Sequence, residues 1–148
     1  MGKYYEDCEV GDVAVTVGRT VTETDVVMYS ALSGDYTPIH TDAEVGRHGP
    51  FGQRIAHGPL GFTYAIGLSA RLAMFEDTAI AALGVKDWKY IGPIFIGDTL
   101  HVEIEIIGKR LTSNPSRGIL ERRFRVIKQD DTVVQEGVLP VMVKARAS

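Results

Sequence analysis

The sequence predicts a single α+β domain in which an antiparallel β-sheet wraps around one central apolar helix. Two observations carry this expectation. A segment opening at Gly58-Pro59 is apolar nearly all round, through Leu60, Phe62, Ala65, Ile66, Leu68, Leu72 and Met74, and a helix without a polar face is a buried one. Four strand-like runs then follow in succession, over 78–95, 99–111, 117–129 and 132–145. A strand, then helices, then a run of strands is an α+β order. At 148 residues the chain reads as one domain, 1–148, with enough length to bury a proper core.

Taken in order, "DVAVTVGRTV" at 12–21 alternates weakly and reads as a strand. Thr22 has Asp25 three residues on, a near capping box ahead of "VVMYSALSG". There Val26, Tyr29 and Leu32 recur at helical spacing and Gly34 suits the position after a helix end, so a helix is expected over about 23–33. Residues 35–57 hold Pro50 and two glycines in "RHGPFGQR" and read as a long structured loop with one helical turn at 42–47. A long irregular segment in a compact domain is uncommon and often functional. Pro59 sits at the preferred first position of the apolar helix. In 99–111, Leu100, Val102, Ile104 and Ile106 alternate with His101, Glu103 and Glu105, the mark of a half-buried strand. Gly97-Asp98 and Asp130-Asp131 supply turns. A meander that follows one apolar helix is a hot-dog layout.

Composition narrows the function. With 45% hydrophobic and 24% charged residues the chain is ordinary for a soluble globular protein. A formal net charge of −3 argues against electrostatic binding of nucleic acid, which needs a basic face. The single Cys8 forms no internal disulfide or cysteine zinc cluster, and its neighbours Asp7 and Glu9 would raise its pKa rather than activate it. The polar, acidic N-terminus is no signal peptide, and Glu6 rules out the myristoylation pattern that Gly2 invites. The apolar run 59–70 is too short and glycine-rich for a membrane span. The expectation is a cytoplasmic protein with no membrane or nucleic-acid partner.

"SGDYTPIHTD", residues 33–42, places Asp35 and His40 five residues apart around Pro38. On a helix that offset turns side chains about 140° apart, and on a strand it puts them on opposite faces. Only an irregular turn aims both at one point. Thr37 precedes proline and is pushed into extended geometry, Pro38 fixes its own φ, and Gly34 reverses the chain. A carboxylate and an imidazole sharing one water form an acid/base pair. The bland alternative has Asp35 capping the next turn and His40 as a structural histidine.

In "RIAHGPLGFTY", 54–64, Gly58 opens the apolar helix. A glycine there lets a ligand approach unpaired N–H groups and the positive end of the helix dipole, which polarise a carbonyl oxygen. Pro59 has no N–H, which leaves Gly58 as the available donor, unless Gly58 is simply an N-cap. Thr63 lies about a turn further on, and a hydroxyl on an apolar helix usually bonds the backbone.

"SGDYTPIHTD" followed by "IAHGPL", with "YIGPIFIGDTLHVEIEI" beyond, resembles the MaoC-like dehydratase family, which includes the (R)-specific enoyl-CoA hydratases. The similarity covers roughly 10–145. The resemblance implies a hot-dog fold, a homodimer or higher homo-oligomer, and an acyl thioester of coenzyme A as substrate. It implies reversible addition of water to a trans-2-enoyl thioester to give the (R)-3-hydroxy product. No cofactor beyond the coenzyme A of the substrate and no metal is implied. Carried over by position, Asp35 and His40 activate the water, Gly58 donates to the thioester carbonyl, and Thr63 stands where several members carry a serine near the site. His57 belongs to the motif as a structural residue. One departure is Thr37, where the hydratase pattern usually has Asn; Thr offers one hydroxyl in place of two donors and an acceptor. That bears on the acyl group, which could be branched, hydroxylated or dicarboxylic as readily as straight.

A hot-dog domain also serves as an acyl-CoA thioesterase or a non-catalytic acyl-CoA-binding protein. A hot-dog thioesterase generally relies on an acidic residue on or near the central helix, and residues 58–75 contain none. Arg47, Arg54, Lys86 and Lys89 are candidate contacts for the phosphates of coenzyme A, each with solvated surface charge as the alternative.

Overall fold

A computed structural model describes residues 1–146. The last two residues of the expected 1–148 domain lie outside the described residues.

The sheet is antiparallel throughout. Its longest strands are β5 (Thr99–Leu111) and β6 (Arg117–Lys128), paired along most of their length. The outer edge of β5 carries two short strands, β1 (Val13–Val15) and β2 (Arg19–Thr20), so the single strand expected at 12–21 is broken in two. Beyond β6 the sheet forks. β7 (Val133–Val138) pairs with the C-terminal half of β6 and β8 (Val141–Lys144) with its N-terminal half. The run 132–145 therefore breaks at Leu139-Pro140, because proline has no N–H for a ladder. The run 78–95 divides likewise into β3 (Ala79–Ala82), beside β8, and β4 (Lys86–Tyr90), beside β7. Gly84 has φ +140 between them.

The helix α1 (Glu23–Ser33) has the expected ends. Thr22 Oγ1 accepts from Asp25 N–H, Asp25 accepts from Thr22 N–H, and Gly34 closes the helix at φ 77. Its apolar spacing misleads in part: Val26 is buried, whereas Leu32 is 84% exposed. The loop 35–57 contains more helix than expected, with α2 (Pro38–Thr41) ahead of α3 (Ala43–His48). Asp42 caps α3 by accepting from Glu44 and Val45 N–H groups.

α4 (Gly58–Ala70) packs across the sheet, and this is the hot-dog arrangement. Leu60, Tyr64, Ala65 and Leu68 meet Leu100, Val102 and Ile104 of β5 and Phe124 and Val126 of β6. The β5 alternation holds, with Leu100, Val102, Ile104 and Ile106 at 2% exposure or less. Each such aliphatic side chain contributes about 1.5–3 kcal/mol relative to remaining in water. The expectation of a helix buried all round needs correction: Pro59, Thr63, Ile66 and Gly67 of α4 are exposed. The helix also stops at Ala70, so Leu72 and Met74 lie in turns rather than on it.

Candidate active site

The turn between α1 and α2 brings Asp35 and His40 together. Gly34 reverses the chain, and Thr37 then ties down the Asp35 carboxylate. Its N–H and its hydroxyl both donate to Asp35 Oδ1, at 3.0 and 2.6 Å. This leaves Asp35 Oδ2 directed at His40 Nε2, 3.9 Å away. The capping reading of Asp35 is thus correct locally and compatible with a chemical role. The Thr37 hydroxyl, and then its N–H, hold the Asp35 carboxyl below its usual range, so it is ionised at neutral pH.

His40 is fixed from its other side. Its Nδ1 lies 2.7 Å from the Ile55 carbonyl, which only accepts, so Nδ1 carries the proton of the neutral ring. Nε2 is then an unprotonated acceptor facing a carboxylate. Two acceptors 3.9 Å apart suit one water that donates to both. At about 2.8 Å from each, that water subtends an angle of about 90°, near its own geometry.

Beneath His40 lies His57, 1% exposed. Their rings stack with centroids 3.9 Å apart at 27°. His57 Nε2 lies 3.0 Å from the Asp35 carbonyl and 3.2 Å from Ser30 Oγ, tying α1, the turn and the start of α4 together. Burial pushes the His57 pKa below its usual value, so the ring is neutral. Its Nδ1 is buried without a partner among the described residues. Donor atoms of Asp35, His40 and His57 lie within 4.8 Å of one another, a metal-like grouping, but His57 Nε2 already faces two protein oxygens.

A cavity of about 340 Å³ opens beside His40, and Gly58 lines it too. The Gly58 N–H begins the 13-residue helix α4, and no partner for it is found among the described residues. A Cβ at Gly58 would lie 2.9 Å from the Tyr90 ring. The Gly58 carbonyl is anchored by Gln135 Nε2 at 2.8 Å, and Gln135 Oε1 accepts from Trp88 at 3.1 Å. The walls are apolar, with Phe51, Ile55, Tyr90, Ile91 and Ile94, and contain no lysine or arginine among the described residues.

Residues 8–123 match the family described as MaoC like domain. The chain belongs to that family. Protein MaoC of Klebsiella aerogenes is 34% identical over 124 residues, 81% of this chain but 35% of its own length, so the chain spans about a third of that relative. The (R)-specific enoyl-CoA hydratase of Rhodospirillum rubrum is 30% identical over 97% of this chain and 93% of its own. The solved structure of a monoamine oxidase regulatory protein from Archaeoglobus fulgius has a TM-score of 0.91 at 28% identity, covering 99% of this chain and 97% of that one.

In this MaoC-like chain Asp35, Thr37 and His40 meet at one turn, and His40 and Gly58 share the cavity, whereas Asp35, Thr37 and Thr63 do not line it. The Thr63 hydroxyl donates to the Pro59 carbonyl at 2.9 Å on the exposed side of α4, the ordinary fate of a helical threonine. Of the candidate cations, Arg47 and Arg54 line one cleft of about 390 Å³ beside α3. Lys86 and Lys89 lie apart on β4, with Lys86 held by Glu121 at 3.0 Å. The sequence did not reveal Ile55 or Gln135, whose roles rest on a carbonyl and on a core position of β7.

Proposed function

We propose that this MaoC-like protein is a hydro-lyase that adds water reversibly to a trans-2-enoyl-CoA, giving the (R)-3-hydroxyacyl-CoA. The observation that carries the reading is the pair of acceptors, Asp35 Oδ2 and His40 Nε2, 3.9 Å apart beside the cavity that His40 shares with Gly58. The name of the Rhodospirillum rubrum relative supports it.

A water held by both acceptors turns a lone pair outward, toward C3 of the enoyl group. As its oxygen bonds to C3, one acceptor takes a proton and the C2–C3 π electrons move onto the thioester oxygen. The Gly58 N–H and the dipole of α4 stabilise that developing negative charge. The protonated member of the pair then delivers its proton to C2 as the carbonyl re-forms. The water's oxygen and both its hydrogens end on substrate, and the pair returns to its starting state. Dehydration is the reverse, and the reaction as drawn uses water, the enoyl-CoA and the residues of the chain.

The uncharged apolar walls of the cavity favour an aliphatic acyl group over a dicarboxylic one, whose second carboxylate would be desolvated without a cation. A homodimer accounts for the exposed apolar positions on α4, Pro59 and Ile66, and for the outer edge of β4, which no strand among the described residues covers. No helix among the described residues is long and apolar enough to cross a membrane.

Crotonyl-, hexenoyl- and mesaconyl-CoA, each followed for loss of enoyl absorbance and for release of free thiol, test the reading. Hydration of the two aliphatic substrates without thiol release is expected. Thiol release identifies a thioesterase instead, and binding without either change identifies a non-catalytic acyl-CoA protein.

A further inference from the structure

Arg122 breaks the pattern of its own strand. Leu120, Phe124 and Val126 of β6 are each 0% exposed. Alternate residues of a strand share a face, so Arg122 stands in that inward row. Its register partner on β5 is Ile106, 1% exposed. A charge in such a row is costly without a counter-ion.

The other inward-lying cations have one. Lys128 pairs with Asp98 at 2.7 Å and Arg54 with Glu23 at 3.0 Å. Among the described residues no carboxylate lies within 4.0 Å of Arg122. Its Nε donates to the Leu139 carbonyl at 3.0 Å, where the sheet forks between β7 and β8. The guanidinium carbon lies 5.1 Å from the Phe124 ring centroid and 5.7 Å from that of Phe75. These contacts use one of five N–H donors. Burial pulls the Arg122 pKa down to about 10, which leaves it a cation at neutral pH.

Among the described residues Arg122 is the only cation lining a cavity of about 400 Å³ at the C-terminal end of α4. The walls include Ala70, Phe75, Ala79, Ala82 and Val141. Ala70 is twelve residues from Gly58 along α4, about 18 Å, so this cavity is separate from the one beside His40.

We propose that this cavity binds a short aliphatic monocarboxylate, with the carboxylate on the Arg122 guanidinium and the chain along Ala79, Ala82 and Val141. The planar guanidinium fork matches a carboxylate with two parallel hydrogen bonds. The apolar walls select a hydrocarbon chain, and the volume lies within the range of small-molecule sites. A single cation, with Glu76 also on the lining, disfavours phosphate and a second carboxylate.

Hexanoate titrated into the full chain, followed by calorimetry and by thermal melting, tests this. Saturable binding with a rise in Tm is expected, weakened at least tenfold by Arg122→Met and by Ala82→Phe. The second variant keeps the arginine and fills the cavity, so the test stands if Arg122→Met fails to fold. Hexanol and inorganic phosphate should bind at least tenfold more weakly than hexanoate. Unchanged affinity in either folded variant overturns the site, as does equal binding of hexanol or phosphate. So does hexanoate that only competes with crotonyl-CoA and still does so in Ala82→Phe, because it then occupies the cavity beside His40. A wild-type protein blind to hexanoate also overturns it, and leaves Arg122 as a brace for Leu139 or as the partner of a carboxylate from a second copy.

Discussion

His40 lies flat against His57, their ring centroids 3.9 Å apart, and the two histidines are held by different backbone carbonyls. Ile55 O accepts from His40 Nδ1 at 2.7 Å, and Asp35 O lies 3.0 Å from His57 Nε2. The carbonyl of one member of the proposed acid/base pair therefore orients the ring beneath the other. Asp35 and His40 are coupled through His57 as well as through the gap between their side chains.

Replacement of either member should disable water activation with the turn intact. Asp35→Asn and His40→Gln are each expected to lower kcat for hydration by at least about 100-fold, the low end for a general acid/base group. Steady-state kinetics on the best aliphatic enoyl-CoA, with circular dichroism as a check on folding, measures this. Near-normal turnover in both folded variants would remove the pair from the mechanism.

Thr37 keeps the Asp35 carboxylate ionised. Its hydroxyl is the leading cause that holds the Asp35 carboxyl below its usual range. Thr37→Val keeps the shape and removes the hydroxyl, so the Asp35 pKa rises toward the ordinary carboxylate value, read by NMR titration of the Asp35 carboxyl carbon. An Asp35 titration that stays in place would show that another group lowers it.

His57 should make stability fall in mild acid. Burial lowers its folded-state pKa from the ordinary 6.5, so the unfolded chain binds the proton first. The contribution is present above the unfolded pKa and is lost as pH falls from 6.5 toward the folded value. Urea unfolding between pH 7.5 and 5 should show a decline in wild-type stability that His57→Asn flattens, at a lower absolute stability. Parallel curves for the two proteins would rule His57 out as the titrating group.

Gly61 is required by Gln135 rather than by helix geometry. A Cβ there would lie 2.4 Å from Gln135 Nε2 and 2.7 Å from Ile94 Cδ1. Alanine gains about 1 kcal/mol of helix propensity over glycine, but overpacking typically costs about 1–3 kcal/mol. Displacing Gln135 also breaks its bond to the Gly58 carbonyl, worth about 1 kcal/mol. Gly61→Ala should therefore lower unfolding stability by roughly 1–3 kcal/mol in urea titrations. A stabilised Gly61→Ala would mean that Gln135 moves aside freely.

Local chemistry made much of this protein legible in its sequence. The capping box at Thr22 and Asp25, the left-handed Gly34 and the strict alternation of β5 each follow from nearest-neighbour rules, and each stands in the structure. The turn that pairs Asp35 with His40 was readable for the same reason, since Gly34, Thr37 and Pro38 constrain backbone angles within a few residues. Contacts across the chain were not readable. Ile55, His57 and Gln135 reach the site from 15, 22 and 77 residues away in their hydrogen bonds to His40, Asp35 and Gly58. Apolar composition marked α4 as the central helix but could not say which face the sheet would cover. In "LERRFRV" the alternation hid one arginine in the core row among others that face water, because a strand's period assigns faces only relative to its neighbours. Only the packing of β6 in the fold decided that Arg122 points inward, toward Leu139 and Phe75, where among the described residues its charge lacks a carboxylate.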